Sequence, residues 1–81
     1  MVQKGNVIEI QTPPYTRYLI SERLDDFNQG QGGWLAIDMD ALKEKGYLGI
    51  TAFDCWRVSD RYLEVQMKCK AIVLIPEQTK L

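Results

Sequence analysis

The stretch Tyr62–Ile75, YLEVQMKCKAIVLI, is the most regular in the chain and decides how the rest is read. Leu63, Val65, Met67, Cys69, Ala71, Val73 and Ile75 share one register of a two-residue repeat, while Glu64, Gln66, Lys68 and Lys70 occupy the other. Successive side chains of a strand point to opposite faces, so this alternation reads as a strand with one dry and one wet face. A strand of this length exceeds the usual five or six residues and is expected to bend, bulge or serve two sheets, as strands of small barrels do. The polar register ends abruptly, because Lys68 and Lys70 are followed by Ile72 and Leu74. That second apolar face needs cover, from this chain or from an intermolecular contact.

Four further strands precede it. Leu48–Val58 sets Ile50, Ala52, Trp56 and Val58 against Thr51, Phe53, Cys55 and Arg57, a strand able to bury part of both faces. Ser59, Asp60 and Arg61 form the polar turn between these last two strands. Asp40–Gly46 suits one or two helical turns, with Asp40 as N-cap and Gly46 at the left-handed C-terminal position. Trp34–Met39 is the third strand, with Leu35, Ile37 and Met39 on one side. Tyr15–Leu24 is the second, its alternation weaker and its dry face undecided. Val7–Gln11 is the first, alternating Ile8 and Ile10 with Glu9 and Gln11. Thr12, Pro13 and Pro14 stop it, since proline has no N–H for a ladder. Asp25–Gly33 is the longest loop, and a short polar tail, Glu77–Leu81, follows Pro76. The expected class is mainly β: a small five-stranded barrel, OB-like or SH3-like, one domain over residues 1–81, with one short helix between strands three and four.

Composition bounds the chemistry. With 81 residues there is one core to build, and 46% hydrophobic with 26% charged residues fits a folded chain. The net charge of -1 gives no overall field toward a polyanion, although the second half of the chain is the more basic. The absence of histidine removes the commonest general base and the usual zinc partner of cysteine. No catalytic set, metal or cofactor is expected. Cys55 and Cys69, inside apparent strands, are expected to be reduced and packed in the core, with a disulfide as the alternative. No apolar run reaches signal-peptide or membrane-spanning length, so the expected location is cytoplasmic, without a membrane partner.

The Gly30–Gly33 region resembles a phosphate loop only superficially. The GxGxxG spacing would place its third glycine at Leu35, and a strand follows instead of a helix. A mobile hairpin loop is the reading that remains. In PPYT, Thr16 stands where a Pro-Pro-x-Tyr ligand needs tyrosine, so the prolines read as a rigid turn. Asp25 with Asp26 and Asp38 with Asp40 are too few and too poorly spaced for a calcium loop.

The leading expectation is a non-enzymatic binding module acting through protein contacts or self-association, as an assembly subunit or an accessory or inhibitory factor. Its contact residues would be Tyr15, Gly30, Gly32, Gly33, Trp34, Ile72 and Leu74, because loops and exposed aromatic anchors dominate interface energy. The alternative is single-stranded nucleic-acid or nucleotide binding on the barrel face, with Tyr18 and Trp56 stacking bases while Arg17 and Arg57 follow the backbone.

Overall fold

The computed structural model describes residues 2–76 and shows a mainly β chain built on one antiparallel sheet. Strands β1 (Val7–Ile10), β2 (Arg17–Leu24), β3 (Gly33–Asp38) and β4 (Cys55–Ser59) form a meander in which β1 pairs with β2, β2 with β3 and β3 with β4. Strand β5 (Ile72–Ile75) returns to the other side of β1, giving the order β4-β3-β2-β1-β5. The sheet curls into a half-barrel that stays open, with β4 and β5 as its edges. Two helices join it, α1 (Met39–Lys45) and α2 (Asp60–Lys68). No helix among the described residues is long and apolar enough to cross a membrane.

The expected long fifth strand is the main correction. Residues 60–68 form α2, and only Ile72–Ile75 form β5. The helix starts because the Ser59 hydroxyl accepts a hydrogen bond from the Tyr62 amide at 3.1 Å, an N-cap in place of the polar turn expected there. Leu63 and Met67, one helical turn apart, are the side chains it turns toward the sheet. Leu63 is fully buried and Met67 packs against the core, while Val65 and Cys69, which a strand would place on the same face, are exposed. The alternation over 62–70 is thus a by-product of a helix with a narrow apolar stripe. Lys70, at φ +66°, turns the chain out of the helix, and the Ala71 amide donates back to the Gln66 carbonyl at 2.9 Å. The abrupt loss of polar alternation at Ile72 marks this helix-to-strand junction. With α2 packed against β3, β4 and β5, the edges are bridged by a helix and the barrel does not close.

A second correction concerns residues 48–58. Two short 3-10 turns, Tyr47–Gly49 and Ala52–Asp54, replace the first half of the expected strand, and β4 begins only at Cys55. Helix α1 lies where expected but is capped by Asp38, whose Oδ1 accepts from the Asp40 and Ala41 amides at 2.9 and 3.3 Å. Gly46 ends it at φ +75°, as the sequence suggests.

The core is the concave face of the sheet. Ile8, Ile20, Ala36, Val58 and Ile72 are buried there with Leu63 of α2 and Val2, and Ile10, Tyr18, Trp34, Trp56 and Met67 pack around them. The undecided face of β2 is explained by a bulge. Ile20 pairs with Ala36 but Glu22 pairs with Leu35, so Ser21 is an extra residue and the two faces exchange. Tyr18 and Ile20 point inward before the bulge; after it, Arg23 shares the face of Trp34.

Candidate functional site

The most exposed apolar residues lie between α1 and β4. Leu48 is 100% exposed, Phe53 99% and Tyr47 64%. Tyr47 and Leu48 sit on a turn closed by backbone bonds, the Gly49 and Ile50 amides donating to the Gly46 and Tyr47 carbonyls, and Phe53 sits on a second turn fixed by side-chain bonds. The Asp54 carboxylate accepts from the Thr51 amide at 2.9 Å, from the Thr51 hydroxyl at 3.1 Å and from Lys45 Nζ at 2.9 and 3.0 Å. Thr51 Oγ1 in turn accepts from the Phe53 amide at 3.3 Å, completing a capping box. These bonds, the Thr51 amide first and Lys45 second, hold Asp54 below the usual carboxylate range. Polar groups define the turn while its large apolar side chains project into solvent.

The neighbouring surface is the free edge of β4. A cavity of about 460 Å³ runs along Trp56, Arg57, Val58 and Ser59 and is walled by Phe27, Asn28 and Tyr62. A smaller one, about 260 Å³, is lined by Leu35, Ala52, Cys55, Trp56 and Arg57. Trp56 stands between Tyr18, at 5.1 Å between ring centres, and Tyr62, edge-on at 5.9 Å. Burial, followed by the charge of Asp38, raises the Tyr18 phenol above its ordinary range.

Arg23 fastens α2 to the sheet. Its Nη1 and Nη2 donate to the two Asp60 oxygens at 2.7 and 2.8 Å, its Nε donates to Asp25 at 3.1 Å, and its guanidinium lies 5.0 Å from the centre of the Trp34 ring. The bond from Arg23 holds Asp60 below its ordinary range, and Asp60 above all holds Arg23 further into its charged form. The Trp34 indole N–H is buried beneath this clamp with no acceptor among the described residues.

The residues expected to make contacts are thereby sorted. Gly32 and Gly33 are buried at the start of β3 and serve packing: a Cβ on Gly32 would strike the Arg23 guanidinium, and one on Gly33 would lie 2.5 Å from the Val58 carbonyl. The loop from residue 25 to 32 is built from turns, with the Gly32 amide donating to the Phe27 carbonyl at 2.9 Å, and it exposes Gly30. Trp34 is half-buried, Ile72 is buried, Tyr15 is exposed in the turn between β1 and β2, and Leu74 is exposed on β5. Of the nucleic-acid set, Tyr18 and Trp56 touch on the concave face, whereas the registers place Arg17 and Arg57 on the convex face, with Arg17 bonded to Glu9 at 2.8 Å. Cys69 is exposed and Cys55 half-buried, both as free thiols, so neither is the packed core residue expected.

Leu48 and Phe53 escaped the sequence reading because Leu48–Val58 looked like one half-buried strand, and Tyr47 fell between that strand and the helix end at Gly46. The available signal was the helix-terminating Gly46 followed by a Thr51-x-x-Asp54 cap inside that supposed strand. Searches of protein families, curated proteins and solved structures return no match, so the geometry of the chain itself carries the functional reading.

Proposed function

We propose that this chain is a non-enzymatic protein-contact module whose anchors are Leu48, Phe53 and Tyr47. The observation that carries the reading is the complete exposure of Leu48 and Phe53, on two successive short turns of which the second is locked by Asp54. Burying a Leu or Phe side chain is worth about 1.5–3 kcal/mol, and here that gain is left for a partner. Because the turn is already ordered, little conformational entropy is lost when it docks.

The carboxylates of Glu9, Asp54 and Asp60 are each engaged with Arg17, Lys45 or Arg23 in structural ion pairs. They are occupied in holding turns and strands in place, which favours a scaffold over acid–base chemistry. Of the two expected barrel types, the meander order of β1 to β4 fits the SH3-like one better, since an OB barrel uses a Greek-key crossing. Nucleic-acid binding draws less support, because the sheet separates the two arginines from the two aromatic rings.

A photoreactive phenylalanine analogue at position 48, with a control at exposed Lys68, tests the proposal. Protein adducts, to another copy or to a foreign chain, are expected at 48 and should disappear when Phe53→Ser accompanies the probe. Equal labelling at 48 and 68 would refute it. Recovery of the chain on lipid vesicles, lost in a Leu48→Ser, Phe53→Ser variant, would reassign the surface to membranes.

A further inference from the structure

We propose that the free edge of β4 accepts an extended peptide from a protein partner, with an acidic residue of the peptide beside Arg57 and apolar residues on either side of it entering the groove lined by Trp56 and Tyr62. This is a second surface, and it stands whether or not the turns before β4 make contacts of their own.

The hydrogen-bond phase of the sheet identifies the available groups. The Asp60 amide donates to the Gly32 carbonyl at 3.1 Å, and the register continues through Trp34 with Val58 and Ala36 with Trp56. Bonded pairs recur at every second position of an antiparallel ladder, so Trp56 and Val58 bond toward β3 while Cys55, Arg57 and Ser59 direct their backbone groups to the open side. The Cys55 amide is used by the preceding turn, donating to the Ala52 carbonyl. The Cys55 carbonyl, both Arg57 groups and the Ser59 amide remain, four groups spaced for an incoming strand.

The other edge is less suited. The Gln11 amide donates to the Ala71 carbonyl, so Ile72 and Leu74 direct their backbone groups away from β1, but β5 is only four residues long and Pro76, which has no amide hydrogen, follows it. Natural edges are commonly blunted by charge; β4 carries one charge and β5 none, but Arg57 has no carboxylate partner among the described residues, so its charge can pair with an acidic side chain of an incoming strand. Arg61, exposed in the first turn of α2, adds positive charge close by in the chain. Strand addition draws affinity from the backbone and specificity from pockets for alternate side chains. The open groove along residues 56–59, bordered by Phe27, Asn28 and Tyr62, gives such side chains a place to lie, and the alternation of faces gives the peptide an apolar–acidic–apolar pattern.

Selection of a phage-displayed library of random twelve-residue peptides on the whole chain tests this. Peptides with that pattern are expected, and their binding should slow exchange of the Arg57 amide. Arg57→Pro removes the outward N–H without touching a bond to β3, and should weaken the selected peptides about ten-fold or more, roughly the loss of one or two net hydrogen bonds. Arg57→Glu, which keeps the backbone intact, should change the preferred central residue from acidic to basic, and it preserves the test if the proline variant fails to fold. No enrichment over an unrelated protein, peptides indifferent to both substitutions, or amide changes centred on Tyr47–Phe53 would each overturn the proposal.

Discussion

Replacing Leu63 and Val65 by alanine separates a helix from a strand over residues 60–68. In a strand the two side chains would share a face, and truncating either would open the core. In α2 they are two residues apart on a helix, rotated by about 200°, so Leu63 is fully buried while Val65 is 48% exposed. Leu63→Ala loses about 1.5–3 kcal/mol of transfer energy and leaves a cavity beneath the helix, for a total of about 3 kcal/mol. Val65→Ala loses little packing and gains helix propensity, so it should stay within about 0.5 kcal/mol of the parent. A chain of 81 residues has roughly 4–12 kcal/mol in all. The first variant therefore gives up a large share of its stability and the second almost none. Urea unfolding followed by tryptophan fluorescence reads both, because Trp56 lies against Tyr62 of α2. At a slope of about 1 kcal/mol per molar urea, the midpoint should fall by about 3 M for Leu63→Ala and by less than about 0.5 M for Val65→Ala. Equal shifts, or a larger one at Val65, would refute the helical assignment and the placement of the core beneath it.

Other substitutions probe separate parts of the molecule. Gly33→Ala places a Cβ 2.5 Å from the Val58 carbonyl, so the β3–β4 spacing must open and thermal unfolding should show a loss of about 2 kcal/mol. Asp60 is held below its ordinary value of 3.8 by Arg23; its stabilisation is full above about pH 4 and fades as pH falls through the lower folded value. Asp60→Asn should therefore cost about 1 kcal/mol at neutral pH and progressively less as the pH falls below 3.8, as read by urea titrations over that range. Iodoacetamide should modify exposed Cys69 faster than half-buried Cys55, and peptide mapping by mass spectrometry orders the two.

The parts of the fold that were legible in the sequence are those where one physical rule acted alone. Ile8 and Ile10 alternate beside a proline stop, and β1 is where they place it. Gly46 ends α1 because a positive φ is needed there. Residues 62–70 failed because Leu63, Val65 and Met67 satisfy a two-residue repeat, while Leu63 and Met67 also satisfy a helical one. The tie is broken by the Ser59 cap and by Lys70 leaving the helix at positive φ, neither of which a periodicity count registers. The dry face of β2 was illegible because the extra residue at Ser21 reverses the alternation midway. The candidate site failed for a different reason. Apolar residues in a strand-like pattern were assigned to burial, and the sequence carries no direct mark that Leu48 and Phe53 project into solvent. The helix-terminating Gly46 and the Thr51–Asp54 cap, signs of turns where a strand was expected, pointed to the local geometry.

That cap also separates display from contact. Asp54→Ala leaves Tyr47, Leu48 and Phe53 in place but removes every bond by which the carboxylate ties Thr51 to Lys45. If the turns act as a preformed anchor, exchange of the Thr51 amide, which loses its acceptor, should quicken by about ten-fold or more, the scale of one lost capping interaction. Crosslinking from position 48 should then weaken although no contacting side chain has changed, because the turn must be ordered at the moment of docking. The lock should also survive mild acid. Asp54 titrates below its ordinary value of 3.8, chiefly through the Thr51 amide and then Lys45, so the ionised, bonded form is favoured above that range and is lost as pH falls through the folded value. A display surface built this way should present Leu48 and Phe53 identically from about pH 5 to pH 8. Unchanged exchange at Thr51 in the alanine variant would show that the carboxylate does not hold the turn. Faster exchange with unchanged crosslinking would show that order in the turn contributes nothing to contact.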